Sequence, residues 1–227
     1  MVCRQYLAPS AVERKVSAYN RVMLPQYWSQ AIAELSGRDA TLAKLFERHV
    51  GLSLVSRGDA FHTLARSIVG QQISVKAADA VWNRLLAQCG EMTPGKIEQQ
   101  GADALAGGGL SQRKVEYLCD LAAHFLDGRL SSEHLQGLGD EAVIAELTAV
   151  RGIGRWTAEM FLIFNLLRPD VLPLDDFGLQ RAIGDHYFSG NRPQRRVMAE
   201  LGEHWRPWRS VATWYLWRSL DPVPVAY

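Results

Sequence analysis

The sequence predicts an all-α protein made of two helical subdomains with a cleft between them, and three observations carry that expectation. Apolar residues recur at helical spacing through most of the chain, glycine- and proline-bearing breakers interrupt those stripes, and alternating apolar–polar runs long enough for strands are scarce. Roughly nine to eleven helices and little or no sheet are expected on that pattern.

Phe61, Leu64, Ala65, Ile68 and Val69 follow the i, i+3, i+4, i+7, i+8 stripe of a helix with one buried face. Ala78, Val81, Trp82 and Leu85 repeat the spacing, and so do Val115, Leu118, Leu121, Ala122 and Phe125. Between the stripes lie GQQIS at 70–74, TPGK at 93–96, AGGGLS at 106–111 and LQGLGD at 135–140. Residues 1–58 are expected to form an N-terminal helical segment that packs with the C-terminal part. Residues 59–175 would be a helical bundle, and 176–227 the C-terminal part that completes the cleft. No low-complexity linker separates them, so a rigid pair is expected.

Composition narrows the setting. With 48% hydrophobic and 22% charged residues, the 227-residue chain resembles an ordinary globular protein with a sizeable core. No apolar run approaches the ~20 residues of a bilayer span, so no membrane association is expected. The start, MVCRQYLAPSAVERK, has no apolar stretch of the secretory kind. Cys3, Cys89 and Cys119 are too few and scattered for a disulfide framework or zinc site, which points to the cytoplasm; a monomer is expected. In a prokaryote it would be nucleoid-associated. The net charge is +1, but residues 1–150 carry 15 basic and 16 acidic side chains, whereas 151–218 carry 10 and 7. All ten of those bases are arginine, whose planar fork suits phosphate. On charge alone, a solvated surface with scattered ion pairs is the better explanation of them.

The most informative stretch is VRGIGRWTAEM at 150–160. Residues 141–148 are expected to be helical, RGIG to turn sharply, and 157–167 to resume a helix with Met160, Phe161, Phe164 and Leu167 on one face. Gly152 and Gly154 permit positive φ and close approach of another molecule. The start of the second helix leaves unpaired N–H groups, an anion site beside Arg151 and Arg155. Ile153 is an apolar plug between the helices. A plain helical corner would use the same residues.

LTAVRGIGRWTAEMFLIF followed by VLPLDDFGLQR resembles the hairpin and aspartate signature of the helix-hairpin-helix DNA glycosylase superfamily. Within it the chain is similar to the 3-methyladenine DNA glycosylase II type, in a short form without an N-terminal β domain. SIVGQQIS at 67–74, GLSQRK at 109–114 and RPWRS at 206–210 fit the same subgroup. The resemblance covers about residues 60–220.

The resemblance implies a base-excision repair enzyme that flips alkylated bases such as 3-methyladenine out of duplex DNA and hydrolyses the N-glycosidic bond. Asp176, 24 positions after Gly152, matches the catalytic aspartate, with Asp175 as the fallback if the register is one residue earlier. Otherwise Asp175 is a candidate helix cap. Trp156 stands where lyase members carry a lysine, so monofunctional hydrolysis without Schiff-base chemistry is expected. Trp156 and Trp217 fall at base-pocket positions, where an indole face would stack on a cationic base, and Phe61 is a weaker candidate. Trp82, Trp205, Trp208 and Trp214 are assigned to the core. Gln72 matches the residue that fills the gap left by the flipped base. Gly152, Ile153, Gly154 and Arg155 would grip the DNA backbone. The Thr148, Val150 and Gly152 carbonyls match those that hold a sodium or potassium ion in relatives. With no cysteine after Cys119, no iron–sulfur cluster is expected, and no cofactor is required. Two other functions remain open at this stage: a glycosylase for other damaged or mismatched bases, and a non-catalytic hairpin DNA-binding protein.

Overall fold

The computed structural model describes residues 25–220, and among them there are twelve helices and no strand. They run as α1 (Trp28–Arg38), α2 (Ala40–Arg48), α3 (Ala60–Gly70), α4 (Val75–Cys89), α5 (Pro94–Gly107) and α6 (Gln112–Leu126). The second half holds α7 (Ser132–Gly137), α8 (Asp140–Thr148), α9 (Arg155–Phe164), α10 (Phe177–Tyr187), α11 (Arg195–Glu203) and α12 (Arg209–Leu220). The helix tally exceeds the sequence expectation partly because α7, at six residues, is too short to show an apolar period. None of the described helices is long and apolar enough to cross a membrane. Cys3 and the first part of the expected N-terminal segment lie outside the described residues.

Local chemistry explains most helix starts. Asp59, Ser74, Thr93, Ser111 and Ser131 each accept a backbone N–H at the third helical residue, satisfying one of the first turn's orphan donors. Each such cap is worth about 1 kcal/mol. The apolar stripes then face inward: Leu64, Ala65, Ile68 and Val69 of α3 and Leu118, Leu121 and Ala122 of α6 are buried.

Helices α1, α2, α10 and α12 pack on one another, while α3 packs on α4, α6 and α9, α5 on α6, and α8 on α9. One continuous apolar core runs through both groups. Polar ties cross between them: Tyr27 Oη donates to the Leu167 carbonyl at 2.7 Å, and Arg57 N to the Phe164 carbonyl at 3.0 Å. Ser210 N donates to the Pro169 carbonyl at 2.9 Å, and Ser210 Oγ accepts from Val171 N at 2.9 Å.

Helix α9 is the central strut. Every residue from Thr157 to Phe164 is buried, as expected for a helix packed on all sides. It stops at Phe164, three residues short of the sequence expectation, because Leu167 adopts φ 53, outside the right-handed helical range.

Candidate active site

Asp176 is the N-cap of α10, and its side chain is 6% exposed. Oδ1 accepts from Leu179 N at 2.6 Å and from the Trp217 indole Nε1 at 2.7 Å, and Oδ2 accepts from Trp156 Nε1 at 2.9 Å. A carboxylate has about four acceptor positions, so Oδ2 retains capacity for one more partner. Two tryptophans from different helix groups, α9 and α12, thus converge on one carboxylate. Gly178 makes room for this: a Cβ there would lie 3.1 Å from Asp176 Oδ1 and 3.2 Å from Trp217 Cδ1.

Asp175 has a different environment. It is exposed and paired with Arg195, and the cap of α10 is Asp176 rather than the Asp175 considered from sequence. The cause is register: the residue directly preceding the first helical N–H groups is 176.

The indoles, expected to stack face-on on a base, have a further use in this structure. Both turn their N–H edges to the carboxylate, and one face of Trp217 is covered by Phe164, whose ring is 5.7 Å away at 14°. Arg57 lies over the Phe164 ring at 4.5 Å. Trp82, Trp205, Trp208 and Trp214 are buried in the core. Phe61 is not part of this assembly. It is 2% exposed, packs edge-on against Phe125, and lines a separate cavity of about 540 Å³ with residues such as His62, Leu86 and Met92. Its own helical stripe turns it toward α6.

At the hairpin, Gly152 has φ 83, and a Cβ there would fall within 2.6 Å of Tyr117 Cε2 and nearer still to the inner ring atoms. Glycine is required twice over at this position. Gly154 differs: its φ of −97° is open to any residue, and nothing lies within 4 Å of where its Cβ would be. Its service is space, since it caps α9 with no side-chain bond and leaves the helix start open. Ile153 is 5% exposed, and its N–H donates to the Val150 carbonyl at 3.1 Å, so it plugs the turn rather than presenting a contact surface.

Arg155, expected at the DNA backbone, is engaged by protein carboxylates. Its Nη1 donates to Glu141 at 3.0 Å and its Nε to Glu159 at 3.1 Å. The hydrogen bonds that Arg155 donates to the Glu141 carboxylate raise the pKa of Arg155 and lower that of Glu141. Burial pushes the Glu159 carboxyl above the usual range, partly offset by Arg155. Arg151 pairs with Glu116 at 3.3 Å but remains largely exposed.

Gln72 is exposed at φ 59, flanked by the half-exposed Ile73. Its neighbour Gln71 supplies a bond that sequence reasoning missed: Nε2 donates to the Gly152 carbonyl at 2.9 Å. That carbonyl keeps one lone pair, and the Val150 carbonyl accepts only the 3.1 Å Ile153 bond among the non-helical contacts, so both fit a hard monovalent cation as oxygen donors. Lys114 closes the GLSQRK motif, but the carbonyls it holds were missed, as was the role of Tyr117, because both act across long sequence separations.

Comparison with known proteins follows the same lines. A family profile described as "HhH-GPD superfamily base excision DNA repair protein" matches residues 65–207. The chain is 33% identical over 189 residues to a putative DNA-3-methyladenine glycosylase of Bacillus subtilis, covering 80% of this chain and 66% of that one. It is 31% identical over 198 residues to DNA-3-methyladenine glycosylase 1 of Schizosaccharomyces pombe, covering 84% and 87%. Among solved structures, DNA-3-methyladenine glycosidase of Bacillus halodurans superposes with a TM-score of 0.77 at 36% identity, covering 84% of this chain and 89% of that one. The S. pombe 3-methyladenine DNA glycosylase in complex with abasic DNA gives 0.73 at 30% identity, covering 87% and 99%.

Proposed function

Because this chain belongs to the HhH-GPD superfamily of base excision DNA repair proteins, we propose that it is a monofunctional DNA glycosylase acting on alkylated bases such as 3-methyladenine in duplex DNA. The observation that carries the reading is the Asp176 carboxylate, held by two indoles at the meeting of two helix groups with acceptor capacity left on Oδ2.

The chemistry follows from that geometry. The C1′–N bond breaks heterolytically, its electron pair leaves with the base, and the sugar becomes oxocarbenium-like. A positively charged alkylated base leaves as a neutral one, so no strong general acid is needed. Asp176, fixed by three donors before the reaction, faces the developing positive charge without reorganising. Water then adds to C1′ and loses a proton, giving an abasic site and a free base. Trp156 offers no amine, so no covalent enzyme–sugar imine forms.

Reaching the base requires extruding it from the stack. We assign that to Gln72 on its exposed loop, with the open start of α9 and the turn at residues 151–154 holding the DNA backbone. Thr148, Val150 and Gly152 would hold a sodium or potassium ion through their carbonyls, and a bound cation there would neutralise part of a phosphate's charge. The protein would work as a monomer on DNA in the cytoplasm.

The test is release of free base from methylated duplex DNA. Asp176→Asn keeps an N-capping side chain but should lower excision by about two orders of magnitude or more, a usual consequence of removing a key electrostatic group. Asp175→Asn should leave excision nearly intact. A wild-type protein that releases no methylated base, or the opposite ranking of the two variants, would contradict the assignment.

A further inference from the structure

One face of α6 reaches both of the segments assigned to DNA. Lys114 Nζ donates to the Val69 carbonyl at 2.8 Å and to the Gln71 carbonyl at 2.7 Å, at the C-terminal end of α3. Three residues on, the Tyr117 ring fills the space beneath Gly152. Three further, Asp120 Oδ2 accepts from Arg151 N at 2.8 Å. Residues spaced by three drift about 60° at each step on an α-helix and rise about 4.5 Å, so the three spread over about a third of the helix's circumference, on one side of it. Gln71 closes the circuit from the other side through its bond to the Gly152 carbonyl.

Each contact is physically apt. A cation at the end of α3 meets the negative pole of the helix and the carbonyls that the helix leaves unpaired. The loop needs such a hold, because Gln72 sits at φ 59, a conformation disfavoured for a non-glycine residue. The Tyr117 ring fits only because residue 152 has no side chain.

We propose that Lys114, with Tyr117 and Asp120, is a positioning residue that fixes the loop at residues 71–74 relative to the hairpin turn. The loop then enters the base stack at the nucleotide whose backbone the turn holds. The proposal rests on the glycosylase reading and gives none of the three a contact with reacting atoms. The strap matters for pulling a base out of a stack, and not for breaking its bond once it is out.

Single-turnover excision of 7-methylguanine separates those steps, measured on two duplexes: one with the lesion opposite cytosine, one with it in a one-nucleotide bulge. Lys114→Met should lose about tenfold on the paired lesion and stay within about twofold on the bulged one, since only the paired lesion must be unstacked and unpaired. Lys114→Arg, which also reaches two carbonyls, should restore most of the rate. An equal loss on both duplexes, or no loss on either, overturns the proposal. Gln71→Leu cuts the direct loop-to-turn bond without touching α6 and should show the same selective loss. It carries the test if circular dichroism shows Lys114→Met to be unfolded. A wild-type protein inactive on both duplexes and on methylated DNA removes the glycosylase reading itself, a result distinct from failure of the strap.

Discussion

The starts of α9 and α10 present the same physical feature, backbone N–H groups at the positive end of a helix dipole, and the chain treats them in opposite ways. At α9 the cap is Gly154, with no side-chain bond and open space in front. At α10 the cap is Asp176, a built-in anion that takes Leu179 N and both indole N–H groups. One start waits for an anion from outside, which suits a phosphate. The other keeps its anion and offers it to something positive, which suits a sugar losing its base. Trp156 joins the two: it is the second residue of the open helix, and its ring bonds the carboxylate of the closed one. On the proposed function, the difference teaches that grip and chemistry would be separate devices built from one motif.

The comparison can be broken from either side. The largest effect is expected at Gly152, where Ala adds both a disfavoured φ and a collision with the Tyr117 ring. A loss of about 3 kcal/mol in chemical unfolding follows from strain and overpacking together. Trp217→Phe keeps a ring against Phe164 but removes one donor to Asp176. Hydrogen bonds to charged groups are worth about 1.5–3 kcal/mol, so excision should fall roughly tenfold or somewhat more with little change in DNA affinity. Gly154→Asp closes the open start with its own cap. Its φ and surroundings accept the side chain, so thermal stability should hold or rise slightly. DNA affinity should fall by up to about tenfold for all sequences alike, since backbone contacts carry no sequence information.

The smallest effect sharpens the picture of the joining helix. The Glu159 carboxyl is raised above its ordinary 4.5 chiefly by burial. The folded protein therefore holds that proton more tightly than the unfolded chain, and stability falls as pH rises from the ordinary value through the raised one. Glu159→Gln should flatten that fall in a series of thermal melts. An unchanged slope would show that the carboxyl does not titrate differently on folding.

Much of this arrangement was legible in the sequence, for identifiable reasons. Apolar stripes such as Leu64, Ala65 and Ile68 encode helix faces because the α-helical period is fixed, and GIGRWTA followed by the aspartate pair kept its spacing. What was not legible depends on where the chain returns in space. Nothing beside Gln71 in the sequence reveals that its amide reaches Gly152, and nothing near Lys114 points to the end of α3. Arg155 carries the charge of a phosphate ligand, yet Glu141 and Glu159 occupy its guanidinium. Phe61 carries the ring of a pocket residue, yet its stripe faces Phe125. Gly152 and Gly154 are the same letter with different physical duties, one a matter of φ and packing, the other of open space.

The central claim is that the closed start performs the chemistry and the open start performs the grip. The most direct test measures dissociation constant and saturating single-turnover excision rate on one 7-methylguanine duplex for Asp176→Asn and Gly154→Asp side by side. The account predicts a crossed result: Asp176→Asn binds within a few-fold of wild type and hardly cleaves, whereas Gly154→Asp binds weakly and cleaves at nearly the wild-type rate once saturated. If Asp176→Asn instead loses affinity and retains its saturated rate, or both variants lose both quantities in step, the division between the two helix starts is wrong.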